Sequence, residues 1–253
     1  MIAGLDTPIY IALFVIIFMA YGIGAMTGFG SIVLALSAGA LVYDLQQLLV
    51  ILVPLTLVMN FPMAWLNRHY IGWQLLLKTV LPLMLVGLVL GYLIPSWLNS
   101  DGVKLVFAAL VALFAVRSLR SIQPRQLSTA ARRICLVGAG VIHGMFASGG
   151  PLLVYALAKS QISKSVFRAS LIVVWLVLNC MLTLMYVTDG RLSPALSSVF
   201  GLAPAVVLGA IVGNWLHHKV DEQRFMNIVF IVLLIVSMIL MLRSLFNLLG
   251  LTE

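Results

Sequence analysis

The sequence predicts an all-α, polytopic membrane protein made of two four-segment repeats, each opening on a broken first segment. Three observations carry this: long apolar runs, motifs that recur in the second half, and helix breakers inside two of the runs. Of the 253 residues, 63% are apolar and only 9% are charged, and ~20 apolar residues suffice to cross a bilayer core. The runs are continuous rather than alternating, which excludes a membrane β-barrel. No stretch is polar enough for a separate soluble unit, so residues 1–253 read as a single transmembrane domain.

The apolar segments fall at 9–43, 46–66, 73–98, 102–119, 134–158, 166–187, 195–216 and 225–246. The first is interrupted at TGFGS (27–31) and the fifth at ASGGP (147–151). Between the fourth and fifth lies SLRSIQPRQLSTAARR, the one substantial polar stretch. It divides the chain into a first repeat (1–120), a basic linker (121–133) and a second repeat (134–253). The N-terminus, MIAGLDTPIY, has no basic n-region, so no cleaved signal peptide is expected.

Collinear matches between the halves point to duplication. LPLMLVGLVLG and APAVVLGAIVG share P-x4-G-x3-G, setting Pro82, Gly87 and Gly91 on Pro204, Gly209 and Gly213 at an offset of 122. VMNF and VLNC set Asn60 on Asn179 at an offset of 119, and the same offset sets Gly30 on Gly149. Small-xxx-small spacing permits close helix packing. It leaves open whether those glycines pack within one chain or between two copies in a homodimer.

Charge then orients the halves. If every segment simply crosses, nine Lys and Arg lie on one side and six on the other. If each interrupted segment enters and returns to the same face, 12 of the 15 share one side, leaving Lys104, Arg191 and Arg243 opposite. The second split fits the positive-inside rule better. It makes the basic loops cytoplasmic in a bacterial-type inner membrane, puts both termini on the other side, and inverts the second repeat. For the first segment a spanning reading stays open, because Ile9–Met26 alone nearly crosses. The net charge of +8 is thus explained by topology rather than by nucleic acid, which is not expected as a partner. Cys135 and Cys180 have no CxxC spacing and read as small buried hydrophobes.

Helix interiors disfavour glycine by ~1 kcal/mol and proline by ~3 kcal/mol relative to alanine. Broken backbone at membrane depth is tolerated where protein buries it or where it lines a polar cavity. The breaks at Thr27, Gly28, Phe29, Gly30, Ser31 and at Ala147, Ser148, Gly149, Gly150 are therefore expected to meet near the midplane as a substrate site. Pro151 suits the first turn of the helix that follows, and free N–H groups at such a start attract anions. Asn60 and Asn179, at matching repeat positions, are expected to contact substrate or to hold the bundle through an interhelical hydrogen bond. His143, just ahead of the second break, reads as a proton-sensitive contact or as a structural histidine. Thr56, one turn before Asn60, is a weaker candidate. No carboxylate lies securely inside a span, which argues against a cationic substrate and a buried proton relay.

The chain resembles the TauE/SafE sulfite exporter family. The resemblance is carried by GAMTGFGSIVLAL and GMFASGGPLLVYAL, by the P-x4-G-x3-G segments, and by the LNRHYIGWQ and TDGRLSP turns. The first copy departs from the family pattern, with Ala35 or Leu36 where proline is common. The resemblance implies a transporter of sulfite, organosulfonates or related organic acids, often outward. The expected partners are a small anion, the lipid bilayer and a coupling ion, proton or sodium. No cofactor or metal is expected, and an enzyme lacks a nucleophile–base pair at depth. An anion channel and a transporter of a non-sulfur metabolite are the alternatives.

Overall fold

The computed structural model describes residues 1–27, 30–94, 100–120, 127–157, 163–216 and 222–249. Ten helices follow one another: α1 (Thr7–Thr27), α2 (Ser31–Gly39), α3 (Leu45–Leu66), α4 (Trp73–Leu93), α5 (Ser100–Leu119), α6 (Thr129–Phe146), α7 (Gly150–Leu157), α8 (Lys164–Thr188), α9 (Leu196–Leu216) and α10 (Glu222–Leu248). Among the described residues, seven helices are long and apolar enough to cross a membrane: α1, α3, α4, α5, α8, α9 and α10. The chain is a multi-pass membrane protein. Large apolar side chains such as Phe61, Phe200 and Ile211 stand exposed, where a bilayer rather than water is the fitting solvent.

Local sequence explains where the helices start and bend. The Asp44 carboxylate accepts from the Gln46 and Gln47 N–H groups at 3.0 Å, capping α3. Ser128 caps α6 through the Ala131 N–H at 3.2 Å, so that helix takes in Arg132 and Arg133. Helix α4 carries a π-helical stretch at Leu76–Val80 just before Pro82. The proline ring removes one N–H and crowds the carbonyl four residues back, and a widened turn relieves both.

The two halves of the chain interlock. Helix α4 of the first packs along α6 of the second, and α1 of the first packs along α9 of the second. Likewise α3 meets α8, and α5 meets α10. Exchanging the two halves turns the α4–α6 contact into the α1–α9 contact and maps α3–α8 and α5–α10 each onto itself. The glycines matched at an offset of 122 make the close approaches. A methyl group at Gly87 or Gly91 would collide with the Val137 or Val141 carbonyl of α6. One at Gly209 or Gly213 would collide with the Phe18 or Gly22 carbonyl of α1. These four glycines therefore serve packing within one chain.

Long-range contacts tie the loops into two ends of the bundle. At one end, Ser198 donates to the Ala3 carbonyl at 2.9 Å and Tyr92 to Asp189 at 2.6 Å. Arg243 donates there to the Leu41 carbonyl at 3.3 Å and Asn247 to Asp101 at 3.3 Å. At the other end, the Gly72 N–H donates to Ser170 at 3.0 Å, so the end of α3 lies beside the start of α8. Arg117 sits 4.2 Å over the Tyr155 ring at that same end.

Candidate functional site

Each break has a backbone cause. Helix α6 ends because Ala147 adopts a left-handed conformation (φ 51°), its N–H bonding back to the His143 carbonyl at 2.6 Å. At the first break Gly30 takes φ 89° immediately before α2, a conformation that favours glycine. Helix α1 is 21 residues long, about 31 Å at 1.5 Å per residue. Its break therefore comes late: the Ala25 carbonyl, near the end of α1, accepts from Arg168 Nη2 at 3.2 Å. The guanidinium satisfies a carbonyl that the broken helix leaves free and complements the negative end of its dipole.

The two breaks share one cavity of about 60 Å³, several times the ~10–15 Å³ that one water needs. Gly30 and Ser31 line it from the first break; Ala147, Ser148 and Gly150 line it from the second. Asn60, His143 and Asn179 line it as well. Thr56 does too, but its hydroxyl donates to the Val53 carbonyl at 2.6 Å and so is already engaged. Gly149 does not line the cavity: its Cα packs against the Ala139 carbonyl, where a methyl would collide. Gly28 and Phe29, and the side chain of Thr27, lie outside the described residues. Phe114, Val229, Phe230 and Leu233 of α5 and α10 close the cavity with apolar surface, Phe114 and Phe230 meeting edge to face at 5.4 Å.

Among the described residues, no Asp, Glu, Lys or Arg lines the cavity. His143 Nε2–H donates to the Asn179 carbonyl oxygen at 3.1 Å in the tautomer that carries the proton there. That bond joins α6 to α8, as expected of an interhelical asparagine. His143 also stacks on Trp175, ring centroids 5.5 Å apart and planes 14° from parallel. His143 Nδ1 and Trp175 Nε1 are buried without a partner. The indole nitrogen can only donate, and an orphaned buried donor is uncommon enough to need a reason. Ser148 donates to the Phe146 carbonyl at 2.7 Å, so its hydroxyl holds the break while its oxygen can still accept. Leu34 and Leu153 are the first residues of α2 and α7 whose N–H groups bond back to Gly30 and Gly149. The N–H groups of Ser31, Ile32 and Val33 and of Gly150 and Leu152 precede those bonds.

Trp175 was not singled out from the sequence, where an aromatic ring in the apolar run VVWLVLN reads as core. The repeat offset was the signal that could have found it. The offset of 119 that sets Asn60 on Asn179 also sets Thr56 on Trp175, and all four line the cavity. The cysteines depart from expectation, Cys180 being exposed and Cys135 half-buried. Neither is a fully buried core residue. Among the described residues no group of His, Cys, Asp and Glu could hold a metal ion.

The different constraints on the two glycines give a measurable contrast. Gly30→Ala meets no neighbour and costs only the backbone strain, about 1–2 kcal/mol. Gly149→Ala drives a methyl into the Ala139 carbonyl and is expected to cost more, at the upper end of the ~1–3 kcal/mol of overpacking or beyond. Thermal unfolding of both variants checks the order.

Across residues 13–241 the sequence matches the family described as Sulfite exporter TauE/SafE. The chain belongs to the TauE/SafE sulfite exporter family. Membership makes it a membrane transporter rather than an enzyme at the level of the family. No curated protein and no solved structure shows significant similarity to it.

Proposed function

We propose that this TauE/SafE protein is a secondary transporter of small anions, sulfite or an organosulfonate or related organic acid, held between the two helix breaks and moved outward. The observation that carries the reading is the cavity's lining. It offers the partnerless Trp175 indole N–H, the Asn60 amide and two helix starts, with no charged side chain among the described residues. Neutral donors around a small space suit an oxyanion: each replaces a lost water hydrogen bond, and helix starts add favourable partial charge. A cation would find no carboxylate to compensate its desolvation.

The contacts between the ends of the bundle support inverted repeats. The end of α3 lies beside the start of its repeat counterpart α8, so the two run in opposite directions. The two broken segments leave from opposite ends and read as re-entrant hairpins. With Arg68, Lys164 and Arg168 at one end, the positive-inside rule makes that end cytoplasmic and places both termini outside an inner membrane. Export driven by a proton or sodium gradient fits this arrangement.

The test is flux. In proteoliposomes, sulfite or methanesulfonate movement should saturate with concentration and respond to an imposed proton or sodium gradient. Flux that rises linearly with concentration and ignores both gradients would instead indicate a channel.

A further inference from the structure

Helix α8 carries a guanidinium on the same face as two residues of the polar cavity. Arg168 stands seven residues before Trp175 and eleven before Asn179, close to two and three whole turns at ~3.6 residues per turn. Trp175 and Asn179 both line the cavity. Arg168 is half-buried, and its Nη2 donates to the Ala25 carbonyl at 3.2 Å. Ile23, two residues before Ala25, lines the cavity too. The guanidinium thus reaches from one half of the chain to the other beside the cavity, on a residue about 10 Å along α8 from Trp175.

Most of its hydrogen-bonding capacity is free. Arginine presents five N–H donors in a planar fork, and the Ala25 carbonyl takes one of them. Among the described residues no carboxylate pairs with it; the ion pair found among them joins Lys104 to Asp101. Two other arginines at this end are held on aromatic rings, Arg68 at 4.8 Å over Trp65 and Arg117 at 4.2 Å over Tyr155. We propose that Arg168 is an entry site for the oxyanion, taking it from solvent at this end and handing it to the Trp175 and Asn60 donors. The inference rests on the anion-transporter reading and adds a residue that selects which ions reach the cavity. A guanidinium fork matches two oxygens of a sulfonate, sulfite or carboxylate, and such charge-assisted bonds are stronger than one to a neutral carbonyl. A fixed positive charge beside low-dielectric walls concentrates anions and repels cations. Because Arg168 stands beside the cavity and does not line it, the bound anion meets neutral donors and is not trapped by an ion pair. The positive-inside rule makes this end cytoplasmic, where an exported anion would load.

The experiment is stopped-flow association of methanesulfonate with the purified protein in nanodiscs, read by tryptophan fluorescence at low and high ionic strength. Wild type should associate more slowly as salt is added. Arg168→Gln keeps an N–H donor but loses the charge; it should associate roughly tenfold more slowly at low salt and lose most of the salt dependence. Its dissociation constant should shift far less than its association rate. Arg168→Lys should keep both the rate and its salt dependence, and Arg117→Gln should lose little of either. A wild-type rate and salt dependence in Arg168→Gln overturn the inference and leave the anion reading standing. An equal loss in Arg117→Gln also overturns it, because diffuse surface charge would then steer the anion. If Arg168→Gln fails to fold, wild type and Arg168→Lys decide: a salt-independent rate in either overturns the inference. No binding of methanesulfonate or sulfite by wild type overturns the anion reading itself.

Discussion

Gly91→Leu is expected to yield no monodisperse, folded protein after extraction from the membrane, the largest effect of any single substitution considered. Helices α4 and α6 approach so closely that even a methyl at Gly91 would collide with the Val141 carbonyl. A backbone oxygen inside a helix cannot rotate away as a side chain can. Ordinary overpacking costs about 1–3 kcal/mol, and four heavy atoms pressed against two successive turns of backbone exceed that. The same contact recurs where Gly213 meets Gly22, so Gly213→Leu should fail alike. Size-exclusion profiles of the two variants check the prediction. A wild-type profile for Gly91→Leu would mean that the helices can separate without loss of the fold.

Trp175→Phe should weaken anion binding by roughly 10- to 150-fold while leaving the empty protein no less stable. The ring keeps its stacking on His143, but the indole N–H is gone. A hydrogen bond to a charged group contributes ~1.5–3 kcal/mol, which sets the expected loss. In the empty protein that N–H has no partner, so its removal relieves an unsatisfied donor instead of breaking a bond. Opposite signs for binding and stability set a ligand-contacting role apart from a purely structural one. Dissociation constants and melting temperatures of both proteins give the two readings. Unchanged affinity would remove Trp175 from the site.

Most of the helical architecture was legible because the bilayer writes it in long apolar runs, while helix breakers mark where two of those runs are interrupted. The break after α6 falls at Ala147, inside ASGGP, and Gly30 marks the first. The roles of individual glycines were less legible. Sequence shows that Gly149 is small but not which carbonyl stands against it, and the answer, Ala139, comes from the adjoining helix. The depth of the first break was likewise hidden. Gly22 and Gly24 look like breakers, yet α1 runs through both, because Gly22 is needed for the contact with α9. The pairing of His143 with Asn179 joins residues 36 positions apart, which no local pattern encodes.

The central claim, that neutral donors between two helix breaks hold a small anion, is tested most directly by ligand-dependent thermal stability of the purified protein. A ligand that binds only the folded state raises the melting temperature, by an amount that grows with its concentration over its dissociation constant. Sulfite, methanesulfonate, short carboxylates and quaternary ammonium ions should be compared on wild type and Trp175→Phe. The account predicts a rise with sulfite or a sulfonate, sharply reduced in Trp175→Phe, and none with the cation. A rise with the cation, or none with any anion, would contradict it.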